Sequence, residues 1–342
     1  MTGTLKSTRN LGDDGLLELL RTDDAALAQS LKDSAREVAD GVFGKEIYLR
    51  ALIEWSNVCR NDCLYCGIRR SNASLPRYSL SEDEILACCG RAWDLGLRTF
   101  VLQGGENPAA AEALVPVVRK MRERWPGAAI TLSLGELPRS TYAALKEAGA
   151  NRYLLRHETA SAELYSRLHP SSMRLESRME CLRTLRELGF QTGAGMMVGS
   201  PGQTLQDLLA DIRFLQEFKP EMIGLGPFIP HKDTPLGHFP AGSAELTLRL
   251  IAILRLMLPH AMIPATTALS SLMPGGRMAG IMAGANVIMP CFTPAGGRSY
   301  YALYDGKNAT YVESEQNIDA IKEELNTHGY SVSSSRGDYS ET

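Results

Sequence analysis

IYLRALIEW, residues 47–55, is the first strand that the sequence predicts, and the pattern that follows it decides the fold. Seven more strand-like segments come after it, and a helical pattern separates each from the next. The predicted strands cover residues 47–55, 98–103, 128–134, 151–156, 191–198, 221–226, 262–266 and 286–290, and the predicted helices cover 81–95, 109–124, 138–148, 174–188, 204–217, 243–257 and 276–283. Strands that alternate with helices predict a parallel sheet with crossover helices.

Eight such units in about 245 residues fit a complete (β/α)8 barrel of the TIM type, with the strands inside a ring of helices. The alternative is an open doubly wound sheet, but no G-x-G-x-x-G motif opens a helix after the first strand. We therefore predict an α/β protein in three parts. These are an N-terminal helical extension over residues 1–45, the barrel over 46–310, and a C-terminal helix with a loose tail over 311–342.

The two flanking parts have their own helical patterns. Residues 16–20 form a short leucine-rich amphipathic segment, and Asp23 or Asp24 is placed to cap a second helix that runs through Ala39. The C-terminal part shows one helix over 318–326. Its end, SVSSSRGDYSET, is rich in serine, which predicts a loosely held terminus.

Composition excludes several classes of protein. The chain has 342 residues, 44% hydrophobic and 22% charged, so it is not mainly disordered. Its 36 Lys and Arg face 39 Asp and Glu without a basic block, which predicts no nucleic-acid partner. No apolar run approaches the roughly 18 residues of a membrane span, and the polar N-terminus does not resemble a signal peptide. We therefore expect a cytoplasmic protein, whose seven unevenly spaced cysteines do not form a disulfide framework.

The strongest chemical motif is Cys59-x3-Cys63-x2-Cys66, directly after the first predicted strand. A structural zinc site needs four ligands, and no fourth Cys or His lies nearby. A cubane iron–sulfur cluster held by three cysteines leaves one iron open, and that iron can chelate an amine and a carboxylate. Tyr65 fits a ring packed on the cluster or on an adenine, or a core residue. Zinc and three unrelated thiols remain the alternatives.

Charged residues on two predicted strands point to a polar barrel interior. Alternation places one set on the inner face and another on the helix-facing side. The inner sets are Arg50, Leu52, Glu54 and Ser56 on the first strand and Arg152, Leu154, Arg156 and Glu158 on the fourth; the outer set is Tyr153, Leu155 and His157. Because unpaired buried charge is costly, three inward arginines predict an anion-binding lumen that keeps uncompensated positive charge. A buried Arg50–Glu54 ion pair is the alternative for that pair.

Other polar or glycine-rich segments also follow predicted strands, at the end where barrel enzymes place their active sites. They are GAGMMVGSPGQT from residue 193, GPFIPH from 226, ATTA from 265 and MPCFTP from 289. Thr131 and Ser133 on the third strand form a hydroxyl row suited either to a ligand or to close packing. Thr204 is placed to cap the helix that follows it.

The cysteine spacing resembles the signature of the radical S-adenosylmethionine (SAM) superfamily. This resemblance implies a [4Fe–4S] cluster on Cys59, Cys63 and Cys66 that reduces SAM to methionine and a 5′-deoxyadenosyl radical. A Gly-Gly-Glu turn after the second strand, which binds the methionyl amine in the superfamily, is matched here by Gln103, Gly104, Gly105 and Glu106.

A closer resemblance covers residues 50–307. The strings that carry it are IEWSNVCRNDCLYCGIRR, TLSLGE, RYLLRHETA, GAGMMVGSPGQT, GPFIPH, IPATTA and GANVIMP, and together they are similar to the [FeFe]-hydrogenase maturase family HydE, near biotin synthase. The resemblance implies that Arg178 binds the SAM carboxylate, although the same residue also fits a solvated helix position. It implies that Thr131, Ser133 and Glu158 hold SAM, with Glu158 on the ribose, and that Tyr65 lies by the cofactor.

The same resemblance implies a substrate and partners. Its internal anion and substrate positions are Arg50, Arg152, Arg156, Thr266, Thr267, Ala268 and Tyr301. The implied substrate is a small iron–cysteine complex with CO and cyanide. The implied partners are a scaffold maturase, a radical tyrosine lyase and an external electron donor. The alternatives are a methylornithine-synthase-like enzyme acting on another small, amino-acid-derived substrate, and a non-enzymatic metal-binding or electron-transfer protein.

The remaining cysteines and histidines carry weaker expectations. No cysteine follows Cys291, and the other three outside the motif, at 88, 89 and 181, lie on predicted outer helices as small apolar residues. We therefore expect one cluster only, which disfavours biotin synthase. His157 and His231 lie within the quoted strings, but a structural hydrogen-bonding role suits them as well as catalysis does.

Overall fold

The computed structural model describes residues 8–307 and 314–341. Eleven strands occur in this part of the chain. They are β1 (Glu46–Leu49), β2 (Ala51–Ser56), β3 (Thr99–Gly104), β4 (Ala129–Ser133), β5 (Arg152–Leu154), β6 (Gln191–Ala194), β7 (Met197–Val198), β8 (Met222–Ile223), β9 (Gly226–Pro227), β10 (Val287–Ile288) and β11 (Ser331–Val332). The predicted boundary between residues 310 and 311 lies outside the described residues.

The strands close into the predicted barrel. Strands β2, β3, β4, β5, β6 and β8 form one parallel sheet in that order. Bridges from Met222 to Met262 and from Pro264 to Val287 continue the ring, and β10 then pairs with β1 in parallel. Because β1 runs into β2 through Arg50, the ring is complete. The segment predicted as a strand over 262–266 takes part through these single bridges.

Two predicted strands, 191–198 and 221–226, are each divided near a glycine. A Cβ on Gly195 would lie 1.9 Å from the carbonyl oxygen of Gly224, so only glycine allows the two backbones to approach this closely. Beyond this crossing, β7 and β9 pair in a separate two-stranded ladder. The division displaces the chain from the main ladder at the carboxyl end of the barrel.

Helices surround the barrel as the periodicity predicted. They are α1 (Asp13–Arg21), α2 (Ala25–Phe43), α3 (Glu82–Asp94), α4 (Pro108–Ala113), α5 (Val115–Arg124), α6 (Arg139–Glu147), α7 (Ala162–Leu168), α8 (Leu175–Glu187), α9 (Leu205–Phe218), α10 (Ala244–Met257), α11 (Thr267–Leu272), α12 (Gly276–Met282), α13 (Ala295–Tyr300) and α14 (Ile318–Thr327). Helices α7, α11 and α13 were not predicted, because six or seven residues show little periodicity. Among the helices of this length, α12 was predicted, over 276–283.

Helix starts follow the capping rules. Asp24, one of the two predicted caps, accepts hydrogen bonds from the amides of Ala26 and Leu27 at the start of α2. Thr204 caps α9 as predicted and forms a reciprocal capping box with Asp207. The predicted helix over 109–124 is instead two helices, α4 and α5, which meet at Leu114.

The N-terminal extension packs on the barrel. Leu16 in α1 and Leu31 in α2 are fully buried, and each such leucine contributes roughly 1.5–3 kcal/mol by leaving water. Arg36 on the same face of α2 donates hydrogen bonds to the carbonyl oxygens of Ile281 and Ala285. These contacts fix α2 against α12 and the loop that follows it. No helix in the described ranges is long and apolar enough to cross a membrane.

The C-terminal segment is not loose, which corrects the expectation from its serine content. Strand β11 pairs in parallel with β1, and the amide of Ser333 donates to the carbonyl oxygen of Ile47 at 2.9 Å. Residues 333–339, here called the C-terminal strap, then cross the amino-terminal opening of the barrel. Gly337 lies against Tyr48 with a φ of +59°, a conformation that suits glycine. Backbone pairing, rather than side-chain hydrophobicity, holds this segment.

Candidate functional site

The cysteine motif lies on an irregular loop after β2 that one arginine organises. The guanidinium of Arg77 donates to backbone carbonyl oxygens throughout the loop, namely those of Asn57, Ile68, Arg69, Arg70 and Asn72. Asp62 accepts hydrogen bonds from Arg69 and Ser71, which hold the pKa of its carboxyl well below the usual range despite opposing burial. These polar side chains give the loop a defined shape without regular secondary structure. Sequence analysis missed Arg77 because its role depends on backbone geometry.

The three motif thiols are free and half-buried. Burial raises the pKa of Cys59 and of Cys63, and it raises the pKa of Cys66 to about 12. Because metal binding requires thiolates, the metal itself must drive their deprotonation. In the described part of the chain, no three His, Cys, Asp or Glu side chains converge enough to hold a single ion. A cubane cluster does not require such convergence, because each cysteine binds a separate iron atom.

The Gly-Gly-Glu turn packs directly against the cysteine loop. A Cβ on Gly105 would lie 2.5 Å from the carbonyl oxygen of Val58, and one on Gly104 would lie 2.3 Å from Trp55 Nε1. Thr131 Oγ1 is also buried without a hydrogen-bond partner among the described residues, but it lies deeper in the barrel, where its backbone pairs with that of Arg152. Three thiols beside a side-chain-free cradle fit a three-cysteine cluster with a small polar ligand next to it.

Two carboxylates hold Arg178 at the site. Its Nε lies 2.7 Å from Glu136 Oε1, and its Nη2 lies 3.9 Å from Glu106 Oε2. Glu106 also accepts from Arg60 Nε at 2.9 Å and from the amide of Glu136 at 2.8 Å. Arg178 is 8% exposed, so the alternative of a solvated helix residue is wrong. Arg60 and Glu136 lie within the quoted strings, but their spacing from Arg178 and Glu106 did not indicate these contacts.

Tyr65 has a fixed orientation. His169 Nδ1 donates to the carbonyl oxygen of Tyr165 at 2.9 Å, so its Nε2 is free to accept from the Tyr65 hydroxyl at 3.2 Å. Burial lowers the pKa of His169 to about 4, which keeps the ring neutral at pH 7. The amide of Leu64 also donates to the carbonyl oxygen of Leu168. The α7–α8 connection therefore supports the cysteine loop, another contact that the sequence did not indicate.

Arg156 and Glu158 lie together at the carboxyl end of the lumen. Arg156 Nη2 is 2.9 Å from Glu158 Oε2, and a Cβ on Gly224 would lie 3.8 Å from Arg156 Cδ. Thr266 Oγ1 is buried next to Gly226 and has no hydrogen-bond partner in the described ranges. Thr267 and Ala268, which open α11, follow it directly, so the structure brings these predicted substrate residues to one place.

Tyr301 lies beside an ion pair that the sequence did not predict. Glu54 is fully buried and pairs with Lys307 Nζ rather than with Arg50, so the Arg50–Glu54 alternative is wrong. Lys307 Nζ also lies 5.0 Å from the centroid of the Tyr301 ring. Cys291 Sγ is 3.7 Å from Glu54 Oε2, which places this buried thiol inside the barrel. The pair was missed because its members are separated by most of the chain.

Arg50 and Arg152 lie at the opposite, amino-terminal end, here called the floor. Arg152 Nη2 donates to the carbonyl oxygens of Arg336 and Gly337 and pairs with Asp338 Oδ1 at 2.6 Å. Arg50 Nη2 donates to the same Gly337 oxygen at 3.3 Å. Asp338 pairs with Arg152 and Glu158 pairs with Arg156, whereas Arg50 has only the Gly337 oxygen and the Met222 sulfur as acceptors among the described residues. The predicted uncompensated positive charge is therefore reduced to that of Arg50. The inward direction of all three arginines is as predicted.

Other polar residues, cysteines and histidines that the sequence indicated lie around this site or on the outer helices. Gln103 and Ser133, at the carboxyl ends of β3 and β4, are half-buried. Cys88 and Cys89 are buried on α3 as expected, whereas Cys181 on α8 is only half-buried. His157 faces away from the lumen, and His231 Nδ1 accepts from the amide of Asp233. Both histidines have structural hydrogen bonds, in line with the structural reading.

Two family profiles match the chain. The profile of the Radical SAM superfamily matches residues 53–215, which include the cysteine loop, the Gly-Gly-Glu turn and Glu158. The profile of the Biotin and Thiamin Synthesis associated domain matches residues 226–331, which include Thr266 and Tyr301. The two matched ranges thus contain both halves of the carboxyl-end site.

The chain also resembles individual proteins. It is 48% identical to the [FeFe] hydrogenase maturase subunit HydE of Thermotoga maritima over 85% of this chain and 83% of that one. It is 30% identical to the 3-methylornithine synthase of Methanosarcina acetivorans over 81% and 79%. Among solved structures, methylornithine synthase (PylB) superposes with a TM-score of 0.84 at 26% identity over 97% of each chain. HydG from Carboxydothermus hydrogenoformans shares the fold, with a TM-score of 0.80 at 23% identity over 97% of this chain and 78% of its own.

The high identity over most of both chains decides the family. The chain therefore belongs to the radical SAM superfamily of enzymes, which use a [4Fe–4S] cluster and S-adenosylmethionine, and within it to the HydE family of [FeFe]-hydrogenase maturases.

Proposed function

We propose that this enzyme takes part in [FeFe]-hydrogenase maturation by acting on a small iron–cysteine complex that bears CO and cyanide. The observation that supports this most is the gathering of the cysteine loop, the glycine turn, Arg156 and Thr266 at one end of a closed barrel. A SAM-derived radical formed there would meet an anionic substrate held in the same lumen. The similarity to HydE supports the choice of substrate class.

The cluster and SAM together supply one chemical step, the one-electron cleavage that yields methionine and a 5′-deoxyadenosyl radical. The residues of this chain hold and orient the reactants. Cys59, Cys63 and Cys66 would bind three irons, while the Gly104–Glu106 turn and Gln103 would contact the methionyl amine.

Other residues would hold the rest of SAM. Arg178 would bind its carboxylate, for which a planar guanidinium is well suited. Glu158 would accept from the ribose hydroxyls, and Thr131 and Ser133 would add hydrogen bonds. Tyr65, fixed by His169, would pack on the cofactor.

The lumen would bind the substrate by charge and exclude water. Arg156 is the inward arginine nearest the cofactor end, and its side chain is one-third exposed, so an anion can reach it. Attraction between this guanidinium and an anion is stronger in the enclosed barrel than in bulk water. Thr266, Thr267, Ala268 and Tyr301 would line the same chamber. The strap closes the other end, which leaves the carboxyl end as the entrance.

The proposed partners follow from the proposed substrate. A radical tyrosine lyase would supply the precursor, a scaffold maturase would receive the product, and an external donor would deliver the electron. These partners are cytoplasmic enzymes in the proposed scheme, and this chain would work beside them.

A methylornithine-synthase-like reaction is the second candidate. It is favoured by the 97% mutual coverage with PylB at a TM-score of 0.84. The two candidates share the cofactor site and differ in the lumen. Feeding each substrate class to the same preparation separates them, because only one should be consumed with release of 5′-deoxyadenosine.

The experiment is anaerobic reconstitution followed by SAM cleavage and hydrogenase maturation assays. We expect about four irons per chain, because the three motif cysteines would hold one [4Fe–4S] cluster. Glu158→Gln should weaken SAM binding by roughly 1–3 kcal/mol, the scale of a lost charge-assisted hydrogen bond. Arg156→Ala should abolish maturation and leave SAM binding nearly unchanged. Eight irons per chain, or turnover of an amino-acid substrate without maturation, would contradict the proposal.

A further inference from the structure

Glu158 sits in an unusual backbone conformation. Its φ is +68°, in the left-handed region that costs a residue with a side chain roughly 1–2 kcal/mol. Its amide donates to the carbonyl oxygen of Gly195 at 3.0 Å, and its own carbonyl accepts from the amide of Met197 at 3.0 Å. These bonds turn the chain so that the side chain of Glu158 enters the lumen beside Arg156. Something must hold this turn against its strain.

His157, the residue before Glu158, faces the opposite way and is fully buried against α9. Its Nδ1 accepts from the amide of Gly195 at 3.2 Å. The proton of the neutral ring is therefore assigned to Nε2, which donates to Asp211 Oδ1 at 3.1 Å. The ring of Phe214, one turn further along α9, packs on the imidazole edge at 4.6 Å between centroids.

Asp211 binds the turn at a second point. The Oδ1 atom that accepts from His157 also accepts from the amide of Ala160 at 2.5 Å. The residue before Glu158 and the residue two after it are thus tied to one oxygen atom of α9. Asp211 is fully buried, and a buried carboxylate is costly unless its hydrogen bonds compensate for lost hydration. We call His157 and Asp211 the outer clamp.

We propose that the outer clamp positions Glu158 for the SAM ribose by holding the 157–160 turn in its left-handed conformation. This inference rests on the role that the proposed function gives to Glu158. His157 and Asp211 lie behind the barrel wall and touch neither cofactor nor substrate, so they are positioning residues. Loss of the clamp lets the turn relax, and the Glu158 carboxylate then leaves the lumen.

The first test compares two substitutions of Asp211. Asp211→Leu keeps the branched shape of the side chain, with a larger volume, and removes both hydrogen bonds, whereas Asp211→Asn keeps an oxygen that accepts both. We expect Asp211→Leu to weaken equilibrium SAM binding by the reconstituted enzyme about tenfold, as supporting residues behind a binding site commonly do. Asp211→Asn should stay within about twofold of wild type by the same reasoning. Equal SAM affinity for Asp211→Leu and wild type would overturn the proposal.

A double-mutant cycle distinguishes positioning from general destabilisation. In a Glu158→Gln background, Asp211→Leu should have little further effect on SAM binding, because the group that it positions is already impaired. Asn286→Ala is the control, since Asn286 is a buried residue far around the barrel that bonds Arg255 and the amide of Ile263. It should lower the melting temperature of the cluster-free protein without changing SAM affinity. The same fold loss in both backgrounds would refute positioning.

A milder variant covers the case in which Asp211→Leu does not fold. His157→Gln keeps a donor for Asp211 and loses the acceptor for Gly195, so it should weaken SAM binding about threefold, and only when Glu158 is present. No loss, or an equal loss without Glu158, counts against the clamp. If Glu158→Gln itself binds SAM as wild type does, the role of Glu158 in the proposed function fails. If it binds weakly while the clamp variants bind normally, only this inference fails.

Discussion

The two ends of the barrel use charged residues in opposite ways. At the floor, Arg152 donates to two strap carbonyls and pairs with Asp338, so its hydrogen bonds stay within the chain. At the carboxyl end, Thr266 keeps a buried hydroxyl without a partner among the described residues, and the three motif thiols have raised pKa values. The contacts of Arg152 at the floor are thus made within the folded chain, whereas the carboxyl end keeps groups that remain for a ligand.

Burial and hydrogen bonding separate a functional arginine from a structural one at the two ends. Arg152 lies in β5 and Arg156 lies two residues beyond its end, and the sequence predicts both on one inward face with the same apparent role. Arg152 is fully buried and Arg156 has a side chain that is one-third exposed. A reachable arginine marks the ligand end, while one that is buried and hydrogen-bonded within the chain marks the end that stabilises the fold.

The largest effect should come from the cysteine loop. Cys63→Ala removes one of three thiolates, so the protein should lose its cluster and all release of 5′-deoxyadenosine. Iron analysis and product chromatography measure this directly. Cys181→Ala, a half-buried cysteine on α8 outside the motif, is the matched control and should keep both. A Cys63→Ala protein with a full iron content would remove the motif from the site.

The next effect compares the two neighbouring arginines by stability. Arg152→Met should lower the free energy of unfolding by roughly 2–4 kcal/mol, because it removes one donor each from Thr99 and two strap carbonyls and leaves Asp338 without its buried partner. Arg156→Ala should cost under about 1 kcal/mol, since its ion pair is partly solvated. Urea unfolding monitored by circular dichroism gives both values. Similar losses in the free energy of unfolding for the two variants would contradict the distinction between the floor and the carboxyl end.

His169 should make the carboxyl end sensitive to acid. Its folded pKa of about 4 lies below the ordinary 6.5, so the folded state resists protonation and stability falls as pH drops from 6.5 towards 4. Between pH 7 and pH 5 the loss should be roughly 2 kcal/mol. His169→Gln should remove this loss, and His328→Gln on the exposed end of α14 should not. Denaturant unfolding of the cluster-free proteins at pH 7 and pH 5 measures the change in the free energy of unfolding.

The smallest effect concerns the strap carboxylate. Burial opposes ionisation of Asp338, but hydrogen bonds from Arg336 and Arg152 outweigh it and hold its pKa below the ordinary 3.8. Its contribution is therefore present above pH 4 and lost as pH falls further. We expect Asp338→Asn to lower stability by under about 1 kcal/mol at neutral pH, because the carboxylate is partly exposed. Amide hydrogen exchange of residues 333–339 should speed up in the variant at pH 7; unchanged exchange would mean that the backbone bonds alone hold the strap.

Local patterns in the sequence were sufficient for the barrel and for the order of its elements. Strand alternation placed Arg50, Arg152 and Arg156 inward, and the spacing of three cysteines indicated the cluster loop. These features depend on neighbours within a few residues, which is the range over which periodicity, capping and motif spacing act. The short helices were missed because six or seven residues show little periodicity, and the divided strands were missed because they depend on glycines such as Gly195 that allow a close backbone crossing.

The partner of each buried charge depends on the tertiary structure. Lys307 reaches Glu54, Asp338 reaches Arg152, and Asp211 reaches His157 across separations of 253, 186 and 54 residues. No local pattern encodes such pairs, because each depends on where the closed barrel brings distant backbone segments. The strap shows this most clearly: its serine-rich composition indicates a loose end, yet parallel pairing with β1 and the carbonyl oxygens it offers to two arginines hold it in place. Local sequence patterns were thus enough to predict the barrel, the cysteine loop and the end at which a ligand binds, and the closure of the barrel set which buried charges are paired within the chain.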